Sequence, residues 1–381
     1  MAVPLVSVPE FGLRSTHSQA ISVSATIEEE PSASQEFNVF QVYQRILENE
    51  EIATPLAAIL ALTELLDHSR AGTMFELVKE LNGGAEVLKT RTSNSISLNA
   101  GCELFIAFVT LFPHESDSFS ELKTELVKQG QQYAKEALTY RHKIAELALG
   151  FIKDDSVILT HSYSRVVIQA LLLAHKQKRI SVYVTEARPR GFGVKTYEIL
   201  TAAGIPCAMV LDSAVAYVMD TVDFVLVGSE AVVESGGLIN AVGSNQMAII
   251  AKAANKPFYA LAESYKFHRL FPLSQYDLPT HHPDILSFPK PAHRSSPALT
   301  ARPSVHPSIA GHVSTATEEL PTWKSGLLVK SPFQMSMTPE QISRNPSVDY
   351  TRPDLISLVF SDVGILTPEG VSQYLVGMFA G

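Results

Sequence analysis

The chain has 381 residues, 46% of them apolar and 18% charged, which is enough to bury a sizeable core in two domains or one large one. A formal net charge of -9 argues against non-specific binding to nucleic acid or to anionic membrane, since both need clustered Lys and Arg, and leaves room only for a local basic patch. Two widely separated cysteines, Cys102 and Cys207, are too few for a disulfide framework and lack zinc spacing, which points to a reducing compartment.

The opening MAVPLVSVPEFGLRS has no charged region followed by a long apolar run, so no secretory signal is expected. No apolar stretch is long enough to span a membrane. A soluble, cytosolic protein is the resulting expectation. Residues 1–36 are rich in Ser, Pro and Glu (SATIEEEPSASQE) and read as a disordered tail. From 37 to 150 the spacing is helical. VFQVYQRILENE, PLAAILALTELLDHS and MFELVKELNGGAEVL carry apolar residues three and four apart. Thr54-Pro55 suits a helix start. SISLNAGCELFIAFVTLF and one long run, FSELKTELVKQGQQYAKEALTYRHKIAELALGFI, complete an all-helical N-terminal domain.

After Asp154 the period changes. SVILTH, ISVYVTE, PCAMVLD, DFVLVGSE and PFYALAE have strand length, and RVVIQALLLAHKQ, GVKTYEILTAAG, SAVAYVMDT and NQMAIIAKAANK lie between them with helical spacing. This alternation predicts βαβ units and a Rossmann-like, mostly parallel α/β domain over 151–381. Its ligand crevice should lie beyond the carboxyl ends of the strands, where Ser162, Glu186 to Pro189, Asp212 and Gly228 to Glu230 fall. The segment 287–345 shifts to Pro, Ser, His and Thr and reads as a disordered insertion. DLISLVFSDVGILTPEGVSQYLVGMF then supplies a final strand, turn and helix.

Three stretches carry candidate chemistry. In THSYS, Ser162 and Tyr163 stand at a strand-to-helix turn. Ser162 is either the cap of the following helix or a contact for an anion held at the helix N-terminus. A nucleophile elbow would need flanking glycines, and His161 and Tyr163 stand there instead. In VTEARPRGFG, Arg188 either grips a bound anion or pairs with Glu186 or another acid; Gly191 and Gly193 loosen the loop, and the full dinucleotide fingerprint is absent, so no cofactor is expected. In VGSEAVVESGGLINAVGSNQ, Glu230 follows a strand, and Gly236, Gly237 and Gly243 allow close approach before a helix starting near Ser244. The alternatives are a phosphate- or polyol-sized pocket and an ordinary loop with a satisfied acid. The adjacent His281 and His282 would point apart and make a poor metal site. The apolar stripes at 56–66 and 103–112 read as core or subunit contacts, and Cys102 and Cys207 as small buried apolar residues.

The ordered series ILTHSYSRVV, VTEARPRGFG, VLDSAVAYVM and VLVGSEAVVESGGLINAVGSNQMAIIAKAANKPFYALAESYKFHRLFPLSQYDLP resembles the regulatory subunits of eukaryotic translation initiation factor two-B. NSISLNAGCELF and SVDYTRPDLISLVFSDVGILTP bring the likeness nearest to the alpha subunit, and it covers 37–286 and 346–381. The same family includes isomerases of methylthioribose-1-phosphate and ribose-1,5-bisphosphate. Their catalytic cysteine and aspartate correspond by this resemblance to Ser162 and Glu230 here, and a phosphate-neutralising lysine to Ala241, so turnover is not expected. Arg188 and Asn240 are retained, and with Ser162, Tyr163, Glu230, Gly236 and Gly237 they make the expected site for a sugar phosphate or nucleotide monophosphate. The resemblance also implies a homodimer that joins beta, delta, gamma and epsilon subunits in a guanine-nucleotide exchange factor. Such a subunit senses the phosphorylated alpha subunit of initiation factor two. It implies no direct nucleic acid contact and no membrane.

Overall fold

The computed structural model of the protein describes residues 37–92, 95–113, 118–288 and 337–379. The expected tail at 1–36 lies outside them. Six helices precede the first strand among the described residues: α1 (Val39–Leu47), α2 (Thr54–His68), α3 (Met74–Arg91), α4 (Ser95–Leu111), α5 (Phe119–Ala137) and α6 (Tyr140–Leu149). Helix α2 is the hub. Its residues are apolar around most of the circumference, and Leu56, Ile59, Leu62 and Leu66 are buried among the surrounding helices. The long helical run that ends this region holds two helices, α5 and α6. At the break, Thr139 turns its hydroxyl back onto the Glu136 carbonyl (2.7 Å), a local bond that competes with the helical ladder.

The second half alternates as its periodicity predicts: β1 (Ser156–His161), α7 (Arg165–His175), β2 (Ile180–Thr185), α8 (Gly193–Ala202), β3 (Cys207–Val210), α9 (Val215–Val218) and β4 (Phe224–Val227). Then follow β5 (Ala231–Val233), β6 (Leu238–Ala241), α10 (Ser244–Ala253), β7 (Phe258–Leu261) and β8 (Phe267–His268). Beyond the Pro/Ser-rich segment come α11 (Pro339–Ser343), β9 (Val348–Thr351), β10 (Leu358–Ser361), β11 (Gly364–Leu366) and α12 (Pro368–Phe379). Seven strands form one sheet in the order β11-β10-β7-β4-β1-β2-β3, parallel except for the β10–β11 pair. Both faces are covered, as a parallel sheet requires. Along β1 and β4, Ile158, Phe224 and Leu226 join one core with α6, α7 and α8, while Leu159, Val225 and Val227 join the other with α9, α10 and α12.

The sequence reading did not foresee a second sheet, ordered β8-β5-β6-β9, whose strands of two to four residues are gathered from 231 to 351. Ile96 of α4 packs against it together with Val233, Ile239 and Tyr350, so the helical region and this sheet share a core. The described residues from Asn38 onward accordingly form one compact unit. Residues 289–336 of the Pro/Ser-rich segment lie outside the described residues, whereas its last part is folded. Thr338 and Gln341 make a capping box for α11, and the Leu286 N–H donates to the Arg344 carbonyl (2.9 Å), joining the two flanks.

Candidate functional site

The strand order reverses between β1 and β4: β2 and β3 continue from β1 on one side, β7 and β10 from β4 on the other. At this switch point, beyond the carboxyl ends of the strands, lies a cleft of about 430 Å³. The α1–α2 connection and the first residues of α2 also line it.

The turn after β1 is built from three residues. Ser162 takes a left-handed conformation (φ 60°) and its carbonyl accepts from Thr196 Oγ1 of α8 (2.8 Å). It is therefore not the helix cap; that position belongs to Ser164, which makes no capping hydrogen bond with its side chain. Ala53, at the cap position of α2, makes none either. Thr54, Pro55, Ser164 and Arg165 all line the cleft, so two helix N-termini without side-chain caps converge on it and favour an anion there. The imidazole of His161 takes no part. Nε2 lies 2.9 Å from the Val242 carbonyl and Nδ1 2.6 Å from Thr185 Oγ1, which places the proton on Nε2, and burial pulls the ring pKa down to keep it neutral.

The Arg188 loop is gripped by its backbone. Asp212 accepts from the N–H groups of Ala187 (2.9 Å) and Arg188 (2.7 Å). Gly193 does not loosen this loop but packs it: a Cβ there would lie 1.8 Å from the Thr185 carbonyl oxygen. The Arg188 guanidinium is exposed in the cleft with no ion-pair or hydrogen-bond partner among the described residues. Lys195 stands over the Tyr163 ring, with Nζ 4.5 Å from its centroid.

The second sheet brings the carboxylate and the amide. Glu230 precedes β5, and Asn240 in β6 donates to Ser244 Oγ (2.9 Å). Ser97, in the first turns of α4, lies 2.6 Å from the Glu230 carbonyl and 2.8 Å from Oε2. Ser229 adds a buried hydroxyl with no protein partner among the described residues.

Five predicted residues thus meet in the cleft: Ser162, Tyr163, Arg188, Glu230 and Asn240. Gly236 and Gly237 do not line it. They form the β5–β6 turn, with Gly236 at φ 80° beneath the Pro368 carbonyl and Gly237 against the Tyr350 ring. The α10 N-terminus is already occupied by Asp349, whose Oδ2 accepts from Gly243 (2.7 Å) and Asn245 (3.1 Å).

Residue patterns also missed members of the site. Glu263 and Lys266 follow β7, so the rule that ligand residues sit at carboxyl ends of strands could have found them. Burial would raise the Glu263 carboxyl, but Lys266 (2.8 Å) and Arg141 (3.2 Å) outweigh it and hold the pKa down at about 2. Arg165 occupies the first residue of α7, where the helix dipole opposes a cation. That mismatch was its signal. It reaches across to the carbonyls of Glu50 and Ile52 (3.3 Å to the latter). In all, five basic side chains and three acidic ones line the cleft, in a chain of net charge -9, a local balance that favours an anion.

Neither cysteine is near this chemistry in reactivity. Burial pushes the Cys102 thiol up to about 12 and that of Cys207 to about 11. Among the described residues no group of three or more His, Cys, Asp or Glu side chains could hold a metal ion, and no helix is long and apolar enough to cross a membrane.

Comparison with known proteins places the chain in a family. The sequence model of the initiation factor 2 subunit family matches residues 48–368. The translation initiation factor eIF2B subunit alpha of Dictyostelium discoideum is 36% identical over 341 residues, which cover 88% of this chain and 95% of that protein. The ribose 1,5-bisphosphate isomerase of Archaeoglobus fulgidus is 30% identical over 230 residues, 60% of this chain and 72% of the enzyme. A chain in the tetrameric eIF2B-beta2-delta2 complex from C. thermophilum has the same fold, with a TM-score of 0.62 at 16% identity, covering 89% of this chain and 92% of that one. The chain belongs to the initiation factor 2 subunit family.

Proposed function

We propose that this chain is a non-catalytic regulatory subunit of the guanine-nucleotide exchange factor for translation initiation factor two, with a cleft that holds a phosphorylated ligand without turning it over. The observation that carries the non-catalytic reading is the state of the His161-Ser162 pair. Both ring nitrogens of His161 are spent on Thr185 and Val242, so the imidazole beside Ser162 does not activate it as a base would. At Glu230, the carboxylate that could move a proton is engaged by Ser97. The cations and helix N-termini that would bind a phosphate remain. A sugar phosphate or a nucleoside monophosphate fits that arrangement, its phosphate near Arg188 and its hydroxyls near Glu230 and Asn240.

On this reading the chain pairs with itself through its α/β part (151–381). The dimer joins beta, delta, gamma and epsilon subunits in the cytosol, and the helical part (37–150) meets the phosphorylated alpha subunit of the substrate. The near full-length similarity to an alpha subunit supports this assignment. Co-purification with beta and delta subunits, followed by GDP-release assays with phosphorylated and unphosphorylated substrate, tests it. Recovery of the complex and slower release with the phosphorylated form are expected; failure to recover either partner overturns the assignment. The isomerase relative motivates an enzymatic alternative. Turnover of ribose-1,5-bisphosphate that disappears in Glu230→Gln would establish it instead.

A further inference from the structure

The aromatic stripe at 103–112 is only partly consumed by the core. Phe105 is buried, but Phe108 and Phe112 are not, and with Leu104 and Ala107 they line a cavity of about 460 Å³ between α4 and α5. Ile59 of α2 and Met378 of α12 also line it. This cavity shares no residue with the anion cleft. Its size falls within the range of small-molecule pockets, roughly 300 to 1,000 Å³.

The walls are set by packing that is independent of any occupant. The three phenylalanines form a ladder along α4, with centroids 6.2 and 5.6 Å apart. Across from them, Tyr133 of α5 is fixed edge-on against Tyr140 at 6.1 Å. Gly130 sets the spacing, because a Cβ there would lie 2.7 Å from Thr63 Oγ1 and 3.2 Å from the Phe105 ring. Among the described residues the lining carries a single charge, Glu136, whose Oε1 accepts from Gln132 Nε2 (2.9 Å), and none of them that lines the cavity is Lys, Arg or His. An anion of the kind the other cleft favours is thus disfavoured here, and an apolar ring system carrying a positive nitrogen suits the aromatic lining and Glu136.

We propose that the α4–α5 cavity is a second ligand site, for a small aromatic or branched apolar molecule bearing one positive charge. The probe is 9-aminoacridine, followed by fluorescence anisotropy on the full chain. Saturable binding to one site per chain is expected. Filling the cavity with Ala107→Phe should weaken it by about tenfold or more, because the ring would occupy the ligand's volume. Glu136→Gln, at an exposed position that leaves the fold undisturbed, should weaken it by about threefold at low salt. Arg188→Ala, in the other cleft, should change nothing. Absence of saturable binding, or binding unchanged in both Ala107→Phe and Glu136→Gln, overturns the proposal. Displacement of the dye on adding beta and delta subunits also overturns it, since the groove would then be a subunit contact.

Discussion

Ser97 shares one hydroxyl proton between the carbonyl oxygen and Oε2 of Glu230, a residue 133 positions away in the chain. The bond ties the first turns of α4 to the edge of the cleft, which Ser97 and Glu230 both line. Ser97→Ala should remove this link and cost about 0.5 to 1.5 kcal/mol, read as a lower urea midpoint with an unchanged slope. An unaltered midpoint would mean that Glu230 is satisfied without Ser97.

Acid should weaken the fold through Glu263. Its carboxyl titrates at about 2 in the folded chain, below the ordinary value of 4.5, because Lys266 and Arg141 overcome the effect of burial. The stability this pairing contributes is therefore complete above about pH 4.5 and drains away as the pH falls towards 2. Glu263→Gln should flatten that acid limb. At neutral pH it should also destabilise by about 3 to 5 kcal/mol, since Arg141 and Lys266 lose their buried partner. Urea denaturation of both proteins at about pH 3 and about pH 6 measures the two effects together.

Asp349 has the opposite sign. Burial pushes its pKa up from 3.8 to about 7, against the Gly243 and Asn245 N–H groups that pull it down. Between those values the unfolded chain has released the proton and the folded chain retains it. This residue therefore lowers stability progressively as the pH rises towards 7, and no further beyond it. In Asp349→Asn that slope disappears. The difference in unfolding free energy between variant and wild type should move in favour of the variant from about pH 5 to about pH 8. A constant difference across that range would show that Asp349 is ionised throughout.

Sequence periodicity reached much of this architecture because parallel strands that alternate with helices announce themselves locally. Ile158, Leu159 and their neighbours are apolar in succession since both faces of β1 are covered. The second sheet left no such trace. Its strands are short, and β9 lies more than a hundred residues from β6, its partner. The candidate site divides in the same way. Ser162, Arg188, Glu230 and Asn240 stand in or beside strands and could be read from position, whereas Ser97 and Lys195 reach the cleft only through tertiary packing. Gly236 and Gly237 misled because a hairpin turn under a crowded neighbour needs glycine as much as a phosphate contact does.

The grip of Asp212 on the Arg188 loop separates shape from recognition. Both of its oxygens hold main-chain N–H groups, and any residue other than proline supplies the same donor. Position 188 can therefore exchange its side chain without redrawing the loop that presents it. A lineage carrying this scaffold is free to retune what the cleft attracts by altering one exposed residue, while Asp212 and Gly193 keep the contour constant.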